Sequence, residues 1–152
     1  MDATPLPQEL KGELAVAVDD SPYAREALSF AVDLARGLGR PLHVVHVWNF
    51  VMSEGPGQDD DAPPSLETWQ RHAEQRLAGI VADIAGVELV QHVLHGNAIP
   101  TLLGISELAR HLVVGSRGRG NVAGMLLGST SDQLVRRAQC PVTVVRSGTH
   151  DA

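Results

Sequence analysis

The chain has one cysteine, Cys140, and one lysine, Lys11, in 152 residues. A single cysteine excludes an intramolecular disulfide and any Cys-x-x-Cys metal or redox motif, and it favours a reducing compartment. The lone lysine lies near the N-terminus, so no Gly-Lys-Ser/Thr phosphate loop can form. Basic residues are also scarce: 12 Lys+Arg stand against 18 Asp+Glu, a net charge of -6. Nucleic acids are held by cations that neutralise phosphates, so none is expected as a partner. Aromatics are only 3%, which leaves Val, Leu, Ala and Ile to fill the core. No apolar run approaches the ~18 residues that span a bilayer. The opening stretch MDATPLPQELKGE has neither a basic n-region nor an apolar h-region. Neither a membrane partner nor a secretory leader is expected, and the expected setting is cytoplasmic.

What is present is ordinary globular composition, 43% hydrophobic and 20% charged. The length suits one domain of about 100–150 residues. Such a chain buries roughly 70% of its unfolded surface and needs no metal or disulfide staple.

Residues 1–12, with Pro5 and Pro7 and no periodicity, are expected to form a flexible tail. Leu14–Val18 is a short apolar run and predicts a buried strand. Ser21 and Pro22 then suit the cap and first position of a helix. Ala24, Ala27, Leu28, Ala31, Leu34, Ala35 and Leu38 continue at helical spacing until Gly37, Gly39 and Pro41. Leu42–Trp48 predicts a second strand. Residues 49–64, with Asp59, Asp60 and Asp61, predict a surface loop whose acidic run is solvated rather than a cation site. A helix over 65–85 follows, opened by Ser65, then a strand over 87–94 and a helix from Asn97 to about Ala109. His111–Val114 predicts the fourth strand. Thr130 and Gln133 suit a capping box for a last helix through Ala138, and residues 142–146 a fifth strand. Residues 147–152 form a short polar tail. Strands that are continuous apolar runs, alternating with helices, indicate a parallel sheet covered on both faces. Ligands on such sheets bind beyond the carboxyl ends of the strands, where the strand order reverses.

The segment after the fourth strand carries the chemistry. Gly115, Gly118, Gly120, Gly124 and Gly128 fall between a strand and a helix that opens with Ser129, Thr130 and Ser131. Glycines let backbone N–H groups approach a ligand closely and cradle an anion. Hydroxyls at a helix N-terminus favour the same ligand, a phosphate. Residues 118–123 also fit G-x-G-x-x-A, but a dinucleotide fold places that pattern after its first strand, and only 29 residues follow it here. A phosphoacceptor receiver domain would use an acidic pair like Asp19-Asp20, yet it needs a further Asp after strand three and a Lys after strand five. This chain has Leu94-His95-Gly96 and no such lysine. His43 and His46, like His92 and His95, lie three apart on strands and face opposite ways, so no metal site is evident. No H-E-x-x-H or G-x-S-x-G occurs, and no catalytic residue is assigned. Cys140, before Pro141, is expected to be a packing residue.

Gly115-x-x-Gly118, nine residues, then Gly128-Ser129 resembles the G-2x-G-9x-G-(S/T) signature of ATP-binding universal stress proteins. The runs Val16–Ser21, Val44–Val47 and Cys140–Val145 are similar to the family's first, second and last strands, so the resemblance covers about residues 13–146. It implies a single open five-stranded parallel sheet, order 3-2-1-4-5, Rossmann-like, with helices on both faces. It also implies ATP as ligand, with Mg2+ a further candidate. Asp19 and the backbone of Val47 would sit near the adenosine, and Ala17 and Val18 would line the same wall. Gly115, Ser116, Arg117, Gly118, Gly128, Ser129 and Thr130 would hold ribose and phosphates, with Arg119 a second basic residue in the loop. Asp20 departs from the family, where glycine is common. The implied function is an ATP-binding regulator of the stress response. Alternatives are a slow ATPase or phosphotransferase holding magnesium on Asp19 or Asp20, and a dimeric interaction module that does not use ATP. The fifth strand, at a sheet edge, is expected to pair a homodimer.

Overall fold

Short runs of Val, Leu and Ala alternate with helix-forming stretches, and the chain folds in that order. The computed structural model describes residues 3–49, 65–118 and 126–146. Its strands are β1 (Leu14–Ala17), β2 (Leu42–Trp48), β3 (Leu89–His95), β4 (His111–Gly115) and β5 (Val142–Val145). Its helices are α1 (Ala24–Leu38), α2 (Leu66–Val81), α3 (Ala98–Leu108) and α4 (Ser129–Arg137). Every strand pairing is parallel and the sheet order is β3-β2-β1-β4-β5. Both the architecture and the order agree with the expectation from sequence.

Side chains alternate across the sheet. Leu14, Val16 and Val18 join Leu42, Val44 and Val113 under α1 and α2. Ala15 joins Val45, Leu112 and Val114 under α3 and α4. Burial of each Val or Leu contributes about 1.5–3 kcal/mol, so the two slabs hold the sheet between them. On α1 the buried stripe is mostly alanine, Ala24, Ala27, Ala31 and Ala35, which lets the helix sit close to β1 and β4. Gly39, at φ 63°, closes α1 in the left-handed conformation.

Caps differ from expectation at two helices. Ser21 does not cap α1: its hydroxyl donates to Asp19 Oδ1, a charged acceptor that outcompetes backbone, and Tyr23 stands at the cap position. Thr130 does not cap α4 either. That helix starts two residues earlier, with Gly128 at its cap, and Gln133 Oε1 instead accepts from Arg137. At α2 the cap is as expected, with Ser65 Oγ accepting the Thr68 N–H at 3.2 Å.

The segment expected as a flexible tail is docked where it is described. A 3-10 helix, Gln8–Leu10, puts Leu10 fully out of solvent against the α3 side of the sheet. Gly12 N–H donates to Leu108 O at 2.8 Å, and Thr4 exchanges two hydrogen bonds with the backbone of His95. Leu6 lies against Gly104 of α3, where a β-carbon would come within 2.6 Å of Leu6 Cδ1. Leu6 and Leu10 lie four apart among prolines and polar residues, too sparse a pattern to register as periodicity, yet enough to cover α3. The expectations for the loop after Asn49 with its acidic triplet, for Arg119, Gly120 and Gly124, and for the tail 147–152 lie outside the described residues.

Candidate functional site

β1 has β2 on one side and β4 on the other, so the strand order reverses beside it. A cleft of about 260 Å³ opens there, beyond the carboxyl ends of β1 and β4. One wall is apolar: Ala17, Val45, Val47 and Val114 from the sheet, Ala98 and Leu102 from the start of α3. The other end is polar, formed by Asp19, Arg117, Gly118, Gly128 and the first turn of α4, Ser129–Ser131. The first N–H groups of α4 have no intrahelical acceptor, and the helix dipole adds partial positive charge at this end.

Of the residues that the sequence nominates, Ala17, Val18, Asp19, Val47, Gly115, Arg117, Gly118, Gly128, Ser129 and Thr130 all line this cleft. Ser116 does not. It is buried beneath the floor, and its carbonyl accepts the Gly128 N–H at 2.7 Å and the Ser131 hydroxyl at 3.1 Å. Those two bonds clamp the end of β4 to the start of α4. At Gly128 a β-carbon would meet Ser116 O, Arg117 Cα and Gly118 N at 3.5–3.7 Å, so the two chain ends cross in contact. Gly118 has no positive φ. What it supplies is closeness, because a β-carbon there would lie 2.8 Å from Asp19 Oδ2.

Sequence reasoning missed Ala24, Val45, Ala98, Leu102 and Val114 as lining residues, and it named Ser131 only as one of three hydroxyls at the helix start. Ala98 and Leu102 were reachable, since a helix that follows β3 must begin at the carboxyl end of the sheet. Val45 and Val114 sit on strands already read as core, where a wall residue and a core residue have the same signature.

Asp19 and Asp20 are adjacent but have different surroundings. Asp19 Oδ1 accepts from the Ser21 N–H at 2.9 Å and from its hydroxyl, which fixes the carboxylate at the cleft. Asp20 turns away to a tight ion pair with Arg76 of α2. Asp20 and Arg76 border a second, smaller cavity of about 130 Å³, which Asp19 and Val47 also line. His46, on its wall, donates Nδ1–H to Val18 O at 2.9 Å, and burial holds it below the ordinary histidine pKa, so the ring stays neutral and ties β2 to the end of β1. The added charge of Asp20 is thus balanced by Arg76. Among the described residues no group of three or more His, Cys, Asp or Glu side chains is placed to hold a metal ion.

An open, parallel, doubly wound sheet with a ligand-sized cleft at its switch point defines the class. The family model of the universal stress protein family matches residues 13–146, and the chain belongs to that family. It is 34% identical to universal stress protein Rv2623 of Mycobacterium tuberculosis over 142 residues, covering 93% of this chain and 47% of that protein. The chain thus spans about half the length of the curated relatives it matches. Among solved structures it resembles universal stress protein UspA from Lactobacillus plantarum, with a TM-score of 0.67 and 20% identity over 90% of this chain and 99% of that one. It also resembles a universal stress protein from Archaeoglobus fulgidus in complex with dAMP, with a TM-score of 0.58 and 23% identity over 90% and 98% of the two chains. Among the described residues no helix is long and apolar enough to cross a membrane.

Proposed function

We propose that this chain binds ATP in the switch-point cleft and acts as a nucleotide-dependent regulator in the stress response. The observation that carries the reading is the convergence of Gly115, Gly118 and Gly128, the N-terminus of α4 and Asp19 around one cavity with an apolar far wall. A purine fits against Val45, Val47 and Leu102. The phosphates fit at the polar end, where Gly118, Gly128 and the first turn of α4 line the cleft. Arg117 stands there with charge opposite to theirs. Solved structures of the same fold carry dAMP, cAMP or AMP, ligands that share the adenine end. Among the described lining residues Asp19 is the one carboxylate, it is tied to Ser21, and there is no histidine. That set favours holding a nucleotide over cleaving it. Any Mg2+ would come with the phosphates and have Asp19 beside it, since Asp20 is engaged by Arg76.

Calorimetric titration with ATP and GTP, with mass spectrometry of nucleotide carried through purification, tests the reading. ATP should bind more tightly than GTP and remain intact over hours of incubation. Failure to bind any adenine nucleotide would sink it, and steady release of ADP would move the chain to the slow-ATPase alternative.

A further inference from the structure

On the α3 side of the sheet, His43 of β2 and His92 of β3 meet across the strands, both buried. His43 Nδ1 lies 2.8 Å from His92 Nε2, with ring planes 4° apart and centroids 5.1 Å apart. A centroid separation that long beside so short an N···N contact means the rings meet edge to edge in nearly one plane, sharing one proton. On the far side of the pair, His92 Nδ1 faces Glu9 Oε1 of the N-terminal 3-10 helix at 3.6 Å. That geometry selects the tautomer in which His92 carries its proton on Nδ1 and accepts from His43 Nδ1–H. The other charged groups acting on His43 are Glu13, just before β1, and Glu88, just before β3. Glu13 Oε2 is buried, accepts no hydrogen bond from any described residue, and has Arg40 Nη2 at 3.6 Å.

We propose that residues 3–13 form a strap released by acid, with the His43–His92 pair as its latch. The chemistry follows from the shared proton. One added proton can go to the remaining ring nitrogen, His43 Nε2, and leave the contact intact. A second would put N–H groups on both sides of a 2.8 Å contact, which cannot hold them. Burial lowers the proton affinity of both rings below the usual value of 6.5, against the opposing pull of Glu9 on both and of Glu13 and Glu88 on His43. Releasing the strap lets water reach the pair and restores the ordinary affinity. The docked state therefore binds fewer protons than the released one between the lowered values and 6.5. Docking is at full strength above that window and weakens as pH falls through it. The strap's fastenings, Gly12 N–H to Leu108 O and Thr4 to the backbone N–H and C=O of His95, lie at either end of it and are made by backbone groups and the Thr4 hydroxyl.

Amide hydrogen exchange, corrected for its intrinsic pH dependence, tests this on the intact chain. Protection at Thr4 and Gly12 should fall between pH 7.5 and 5 by up to about tenfold per pH unit for each proton taken up, while Val16 in β1 keeps its protection. The imidazole resonances of His43 and His92 should titrate below 6.5 while the strap is docked. A His43→Gln/His92→Gln variant, able to hydrogen-bond but not to titrate, should lose the pH dependence. If that variant does not fold, Glu9→Gln serves: it removes a carboxylate favouring the charged docked pair and should enlarge the loss of protection at pH 5.5. Flat protection in the wild type would overturn the proposal. So would ordinary titration of both rings, release of the glutamine pair with an unchanged pH profile, or parallel loss at Val16.

Discussion

A β-carbon at Gly118 would stand 2.8 Å from Asp19 Oδ2, inside any contact real side chains make. Gly118→Val must push either the loop or the carboxylate away. It should weaken ATP binding by roughly tenfold or more, equivalent to about 1.4 kcal/mol, as read by calorimetry. Unchanged affinity would remove the loop from the site. The neighbouring acids divide the same way. Asp19 lines the cleft, whereas Asp20 is spent on Arg76. Losing a charged hydrogen-bond partner costs about 1.5–3 kcal/mol, so Asp19→Ala should weaken ATP roughly ten- to hundredfold. Asp20→Ala should have the smaller effect on binding, with its cost appearing in stability, because Arg76 loses its ion pair. A larger binding loss at Asp20 would mean that the cleft recognises its ligand from the α2 side.

At the scale of elements, β4 and α4 are joined at one carbonyl, that of Ser116. Ser131→Ala removes the hydroxyl bond and leaves the Gly128 N–H in place. It should cost about 1 kcal/mol of stability in urea unfolding and weaken ATP binding with it, because the two ends of the glycine segment are then less firmly held. Equal stability and affinity would show that the backbone bond suffices. Ser131, read from sequence only as one of three helix-start hydroxyls, also shows where the sequence stopped short: its bond to Ser116 O was not visible. The five strands, the four helices and ten of eleven nominated lining residues follow from apolar runs, glycine spacing and the family signature. Ser116 was nominated with the family signature, and its carbonyl is what joins β4 to α4. Ser131 is one hydroxyl in a Ser-Thr-Ser run, and nothing local marks which of the three turns inward. The His43–His92 pair was invisible for another reason. Opposite-face arithmetic within each strand is correct, but the contact depends on the register of β2 against β3, which pairs His43 with Val90 and Val45 with His92. The docking of Leu6 and Leu10 likewise depends on a partner, α3, far along the chain.

At the scale of the molecule, β5 ends the sheet, and we propose that it pairs with a second copy. An uncovered edge of Val and Thr is a liability, and an antiparallel two-fold pairing would satisfy it. Leu112 N–H bonds Pro141 O and Ser116 N–H bonds Val145 O, so the odd-numbered residues of β5 direct their backbone groups to β4. Thr143 belongs to that set, and Val144 directs its groups outward. Thr143→Pro should therefore destabilise the fold. Val144→Pro should spare it and shift the protein toward monomer in light scattering. A wild type that stays monomeric at tens of micromolar, an order of magnitude suited to a small stable interface, would refute the dimer.

The chain's two tryptophans, Trp48 and Trp69, lie together, their planes 7° apart and their centroids 6.1 Å apart. Trp48 directly follows Val47 on the cleft wall, and both indoles are buried. All of the molecule's indole emission therefore originates at one end of the sheet, and two nearly parallel chromophores this close should couple excitonically in the near ultraviolet. The protein carries its own optical gauge of that end. ATP entering the cleft should change intrinsic emission without any label, and Trp69→Phe should abolish the coupled signal while leaving Trp48 to report alone.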